Sequence, residues 1–165
     1  MKERDMIEIT HEPLDPKAVT ARVMRDTNGA VVTFLGVTRN FTGERRVLHL
    51  EYEAYRPMAD AKLHEIADDI RTRWEIEDVA IAHRLGRLEV GETSLVVAVA
   101  SPHRAEAFAA CRFLIEEVKR RAPVWKKEHY VSGKSEWVSG CALKSRPKQG
   151  RNGMKRNLES PVVPV

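Results

Sequence analysis

Cysteine is scarce in this chain. Cys111 and Cys141 alone occur, 30 positions apart, which excludes a disulfide framework, a CxxC redox pair and a cysteine-based zinc site. No apolar run approaches the ~18 residues that a membrane-spanning helix needs. Met1-Lys2-Glu3-Arg4-Asp5 alternates charge and leads into no apolar stretch, so no secretory signal is expected. These features predict a protein of the reducing cytoplasm. A phosphate-loop motif and GxGxxG are also missing, and Ser94 and Ser101 lack a nucleophile-elbow context. His64-Glu65 has Asp68 where a zinc-protease helix needs its second histidine. The expectation is therefore of no metal and no cofactor.

An excess of positive charge is absent from the body as well. The 165 residues carry 28 Lys and Arg against 24 Asp and Glu, a net charge of +4. Six of those cations (Lys144, Arg146, Lys148, Arg151, Lys155 and Arg156) lie in residues 141–165, opposed by Glu159 alone. The other 140 residues then hold 22 cations and 23 anions. The basic character belongs to the tail, so no nucleic-acid-binding face is implied for the body and none is expected as a partner.

What is there is one domain of alternating elements, residues 1–140, followed by a Pro/Gly-punctuated basic stretch, 141–165, that reads as a flexible tail. Asp15-Pro16 is a cap followed by a first-turn proline, and predicts a helix running to Asn28-Gly29. Ala30–Thr38 is a buried strand, and Arg39–Arg46, with Gly43, an exposed mobile loop. Val47–Tyr55 alternates, with Leu48, Leu50 and Tyr52 on one face. A second helix begins near Pro57 with the stripe Leu63, Ile66, Ala67, Ile70 and Trp74. Val79, Ile81 and His83 alternate as a strand, Gly86 and Gly91 bracket a turn, and Thr93–Ser101 is a buried strand. Ser101 caps a third helix with Pro102 first; its apolar stripe is Phe108, Cys111, Ile115 and Val118, and Pro123 stops it. Val124–Tyr130 and Glu136–Ser139 close as strands around Ser132-Gly133-Lys134. The mix predicts an α+β fold with a mixed or largely antiparallel sheet and helices packed on it.

The third helix carries the chemistry. His103 and Arg104 fall in its first turn, where the macrodipole disfavours cations by a few tenths of a kcal/mol to about 1 kcal/mol. An anion such as phosphate, held by them and by free backbone N–H groups, makes sense of the placement; side chains bent into solvent are the alternative. At the other end Lys119, Arg120, Arg121, Lys126 and Lys127 put five cations into nine residues. Lys119 to Arg121 suit a helix C-terminus in any case. Lys126 shares a strand face with Val124, Glu128 and Tyr130. A lysine among apolar groups and other cations has its charged form disfavoured, and serves as base, nucleophile or anion clamp. His103 and Lys119 are 16 residues apart, about 24 Å along a helix. The two cation groups therefore form separate sites or meet across a symmetric dimer. Arg39 follows a buried strand into a loop, a frequent functional position and equally an ordinary solvated one. His83 reads as a strand histidine satisfied by a neighbour, and Cys111 as core.

Gly29-Ala-Val-Val-Thr-Phe-Leu-Gly-Val-Thr-Arg-Asn40, His83-Arg-Leu-Gly86, Ser101-Pro-His-Arg104 and Arg121-Ala-Pro-Val-Trp-Lys-Lys-Glu128 together resemble the catalytic large subunit of molybdopterin synthase, in order from about Pro13 to Trp137. The resemblance implies an α/β hammerhead-like fold with additional antiparallel strands. It implies conversion of cyclic pyranopterin monophosphate to molybdopterin by insertion of two sulfurs as a dithiolene. The sulfur arrives as a thiocarboxylate on the C-terminal glycine of a small ubiquitin-like subunit, and two large subunits form the central homodimer of a heterotetramer. It makes Lys119 and Lys126 the catalytic pair and Arg39, His103 and Arg104 the phosphate-binding group. A chain without a usable cysteine agrees with sulfur brought by a partner. The rival reading is a non-catalytic binding or assembly module whose tail contacts nucleic acid or an acidic partner; its affinity would fall steeply with salt.

Overall fold

The computed structural model describes residues 6–138; the tail 141–165, Cys141 and the first five residues lie outside the described residues. Nine strands and three helices follow in the order β1 (Met6–Thr10), α1 (Pro16–Ala21), β2 (Ala30–Val37), β3 (Phe41–Thr42), β4 (Arg45–Ala54), α2 (Arg56–Trp74), β5 (Asp78–Arg84), β6 (Gly86–Glu89), β7 (Thr93–Ser101), α3 (Arg104–Arg121), β8 (Val124–Tyr130) and β9 (Ser135–Val138).

The first sheet has the order β1-β5-β7-β2. β1 runs parallel to β5, whereas β5–β7 and β7–β2 are antiparallel. Its two central strands alternate large with small. Val79, Ile81, Val97 and Val99 face α2 and α3, forming the main core with Leu63, Ile66, Ile70 and Leu114. Ala80, Ala82, Ala98 and Ala100 face Val19 and Val23 near α1. The alternation thus puts bulk under the two long helices and lets the short segment sit close on the other face. The second sheet, β3-β4-β8-β9 with β6 added on β4, is antiparallel throughout. The fold is α+β, a mixed sheet with packed helices and an additional antiparallel sheet.

Several elements differ from the sequence expectation, each for a local reason. Asp15 does cap α1, its Oδ1 accepting from the Lys17 N–H at 2.9 Å, but the helix stops at Ala21 instead of Asn28. Arg25 pairs with the buried carboxylate of Asp78, and Asn28 donates to it at 2.8 Å, so residues 22–29 are held as turns against the start of β5. The 39–46 segment is a tight hairpin: Thr42 faces Arg45 and Gly43 takes φ +60°, the left-handed region that a two-residue turn favours. A register shift between Val47 and His49 turns Val47 and Leu50 inward and leaves Leu48 half exposed. The stretch after Gly86 is a strand, β6, paired with β4. On α3 the buried stripe is Ala107, Ala110, Cys111, Leu114 and Val118. The helix seats its small residues against the sheet, and Phe108 is 63% exposed.

The start of α3 is also displaced. Ser101 stays in β7, and its Oγ accepts the His103 N–H at 3.4 Å. His103 is the N-cap residue, with extended backbone and no side-chain cap bond, and Arg104 is the first helical residue. Gly29 fixes this turn in space: a Cβ there would lie 2.6 Å from the carbonyl oxygen of Pro102, an approach that backbone tolerates only from glycine.

Candidate active site

Where the end of α3 meets both sheets there is a cavity of about 480 Å³. Three chain segments bring cations to it. Arg39 arrives two residues beyond β2, Lys119 in the last turn of α3, and Lys126 as the third residue of β8. Pro123 makes the last two neighbours: it ends the helix, and its carbonyl accepts the Tyr55 N–H at 3.2 Å, steering the chain directly into β8. Phe34, Leu50, Tyr52, Leu95 and Val118 give the cavity an apolar and aromatic wall, and His83, Thr42 and Glu128 add polar atoms.

The three cations are held differently. Among the described residues, no carboxylate pairs with Arg39 or Lys119, although Arg25, Arg45, Arg84, Arg87, Arg112, Arg120 and Arg121 all have acidic partners. Lys126 has a counter-ion, its Nζ lying 3.2 Å from Oε1 of the buried Glu128. Lys126 thus shares its strand face with Glu128 as alternation predicts, and the carboxylate opposes the loss of charge expected from apolar and cationic neighbours. Glu128 is itself anchored. Thr42 Oγ1 donates to it at 3.0 Å and the Tyr130 hydroxyl at 2.6 Å. Burial pushes the Glu128 carboxyl up, but the Tyr130 hydroxyl, the charge of Lys126 and Thr42 more than offset this and hold it below the usual carboxylate range. Burial, with the neighbouring Glu128 carboxylate, pushes Tyr130 up to about 12. Glu128 and Tyr130 are residues that sequence reasoning gave no role. They form a rigid base under Lys126.

His83 also lines the cavity. Its Nδ1 lies 3.0 Å from the Arg84 carbonyl oxygen, which places the proton on Nδ1 and the lone pair on Nε2. Its ring packs edge-on to Tyr52 at 5.3 Å. Burial pushes the imidazole below its ordinary value, and the bond to Arg84 opposes this without cancelling it. His49, lowered by burial, Arg87 and His129, behaves alike. The sign follows directly. The unfolded chain takes up a proton near pH 6.5 that the folded chain refuses, so this stability is complete above about pH 6.5 and is lost as pH falls. The urea midpoint is therefore expected to drop between about pH 7.5 and about pH 5.5, with a shallower drop in His83→Gln. A second drop follows below about pH 4.5, where Glu128, Glu51 and Glu117, all held low, take up protons. A midpoint flat across the first window would show that neither histidine is held neutral.

His103 and Arg104 are elsewhere. They border a second opening of about 440 Å³ with Gly29, Pro102 and Glu106. Glu106, in the same first helical turn, offsets part of the dipole penalty on which the anion argument rested. Lys119 lies 15 residues along the same helix from Arg104, about 22 Å away. One chain therefore gathers Arg39, Lys119 and Lys126, and keeps His103 and Arg104 apart from them.

The model of the MoaE protein family matches residues 9–121, a span that holds Arg39, His103, Arg104 and Lys119 and stops short of Lys126. The chain belongs to the MoaE family. The molybdopterin synthase catalytic subunit of a Nostoc species is 48% identical over 139 residues, covering 84% of this chain and 84% of that protein. The crystal structure of molybdopterin synthase from Staphylococcus aureus superposes with a TM-score of 0.76 at 38% identity, covering 79% of this chain and 95% of that one. The fold also matches a chain in the complex of subunits 1 and 2 of molybdopterin-converting factor from Helicobacter pylori, with a TM-score of 0.67 at 20% identity, over 84% of this chain and 92% of that one. With MoaE membership comes enzyme class: this is a catalytic subunit acting in molybdenum cofactor biosynthesis. No helix among the described residues is long and apolar enough to cross a membrane.

Proposed function

We propose that this MoaE chain converts cyclic pyranopterin monophosphate to molybdopterin in the cytoplasm, taking both sulfurs from the C-terminal glycine thiocarboxylate of a small ubiquitin-like subunit. One observation carries the reading: Arg39 and Lys119, cations without a carboxylate partner among the described residues, meet Lys126 in one cavity whose wall is aromatic and apolar. Such a cavity suits a flat heterocycle bearing a phosphate, together with an anionic peptide end. Lys119 and Lys126 neutralise the thiocarboxylate and move protons during transfer, or one of them bonds to an intermediate. Glu128 fixes the Lys126 ammonium at the cavity, and Arg39 receives the phosphate.

A second copy completes the pocket. Arg104, Phe108, Arg112, Ile115 and Lys119 recur at intervals of three and four, which places them along one face of α3. The midpoint of Arg104 and Lys119 falls between Cys111 and Arg112. A two-fold axis there, with the two α3 helices antiparallel, sets Arg104 of one protomer over Lys119 of its partner and Phe108 over Ile115. Beside this face β2 ends the first sheet, one backbone edge unpaired among the described residues, with Leu35 and Val37 exposed. The arrangement stacks cation on cation, which an anion between them relieves. The phosphate is that anion, gripped by Arg39 of one protomer and by His103 and Arg104 of the other.

The test is mass spectrometry of the pterin after the full chain is mixed with a thiocarboxylated partner and the cyclic phosphate. The expected product carries two added sulfurs as a dithiolene. Substrate returned unchanged by a correctly folded dimer would overturn the reading.

A further inference from the structure

The back of the second sheet, facing away from the cavity, carries a group that no local sequence motif announces. His49 and His129 are direct partners across the antiparallel pair β4–β8. Opposed side chains on such a pair have Cβ atoms roughly 4.5–5.5 Å apart, and here the two imidazoles stack at 4.3 Å with planes 18° apart. Glu51, two residues from His49 and on the same face, lies with Oε2 2.8 Å from His129 Nε2. One ligand atom from each of the three residues falls within 4.8 Å of the others. His129 and Glu51 are 25% and 42% exposed, so solvent reaches the group.

We infer that His49, Glu51 and His129 form a binding site for a late first-row divalent cation of the Zn²⁺, Ni²⁺ or Cu²⁺ type, separate from the substrate cavity. Two imidazoles and one carboxylate are the ligand set these ions favour, and Mg²⁺ or Ca²⁺ would want oxygens throughout. Ligands about 2.0–2.2 Å from a tetrahedral ion lie about 3.3 Å from one another. The Glu51–His129 contact therefore opens by about half an ångström and His49 closes from within 4.8 Å, moves that side-chain rotation supplies. An ion on His129 Nε2 takes the place of the hydrogen now lying between that atom and Glu51, and the neutral ring then carries its one proton on Nδ1. The ligands stand on paired strands, with β4 held on its far side by β6, so the backbone is set before the ion arrives. The charges facing the site are Lys127 on β8 and, on β6, Arg87 and Glu89, which neutralise each other at 2.5 Å. The inference does not rest on the sulfur-transfer reading.

The probes are Zn²⁺ and Cu²⁺ alone, titrated calorimetrically into the full chain freed of any histidine tag. One saturable site per chain is expected. Loss of an outer-shell partner costs about 10–100-fold in affinity, and loss of a ligand costs at least that much. His129→Asn and His49→Asn should each weaken binding by at least about tenfold, with Glu51→Gln following. Circular dichroism verifies that each variant is folded. Electron paramagnetic resonance of the Cu²⁺-loaded wild type reads the ligands without any variant, and two histidine nitrogens are expected. No saturable binding to the wild type, binding unchanged in the His49→Asn/His129→Asn double variant, or a spectrum with fewer than two nitrogens would each overturn the assignment.

Discussion

Lys119→Ala is expected to bring turnover down by about 10²-fold or more, the range for loss of a proton-transferring side chain, while the protein stays folded and dimeric. The two halves of that outcome have separate causes. Lys119 is exposed at the end of α3 with no carboxylate partner among the described residues, so its removal strands no buried charge. Alanine is the best helix former, and the lost interaction with the helix C-terminus is worth about 0.3–1 kcal/mol. The chemical loss is large because the same ammonium lines the cavity beside Lys126. Product formation and sedimentation measured on one preparation check both halves, and full turnover in the variant would remove Lys119 from the mechanism. Lys126→Ala is the less clean probe. It leaves Glu128 buried with Tyr130 and Thr42 but without its ion-pair partner, and a buried group deprived of a partner costs about 1–3 kcal/mol. Its activity loss therefore has to be read alongside its stability loss.

Elements whose identity lies in local pattern were legible in the sequence. β2, β7 and β8 follow from apolar runs and alternation, α2 from its stripe, and the end of α3 from Pro123. What was not legible depends on contacts across the fold. Nothing near Asn28 says that Asp78, 50 residues on, will hold it out of a helix. The bulge in β4 is visible only in its register with β8, where one extra residue reverses which side chains face inward. On α3 the apolar residues Phe108, Leu114 and Ile115 allow two overlapping stripes. Ala107 and Ala110 decide between them by letting the helix approach the sheet closely, a packing fact that hydrophobicity alone does not encode.

The candidate site divides in the same way. The cation clusters at the two ends of α3 could be seen in the sequence, and the 1.5 Å helical rise already separated them. The shared cavity of Arg39, Lys119 and Lys126 could not be, because it needs the end of β2 brought to the end of α3 by sheet pairing. Alternation already put Glu128 on the strand face of Lys126; that its carboxylate pairs with the ammonium is a matter of side-chain position, which the pattern does not give. His49, Glu51 and His129 escaped because Glu51 and His129 are 78 residues apart and the group exists only in the β4–β8 register.

Mixing two crippled variants should restore activity to roughly a quarter of the wild-type value, through the shared site of a two-fold dimer. Lys119→Ala loses the proton-handling group. Arg104→Ala mainly weakens substrate binding, raising KM while retaining much of kcat, so the assay is run with substrate well below KM. When the two chains are unfolded together and refolded, half of the dimers contain one of each. In such a dimer one pocket lacks both side chains, while the other draws Lys119 from the Arg104→Ala chain and Arg104 from the Lys119→Ala chain and is intact. Half of the dimers, each with one working pocket of two, give the quarter. A pocket built within one protomer predicts otherwise: every chain keeps its own defect, and the mixture shows only the mean of the two variants. The geometry favours the first result. Fifteen residues of rigid helix keep Arg104 about 22 Å from Lys119 in its own chain, and the antiparallel pairing of exposed α3 faces brings it to the Lys119 of the partner. A mixture no more active than that mean, from dimers shown by differential tagging to be mixed, would sink the composite pocket and leave His103 and Arg104 as a separate anion site.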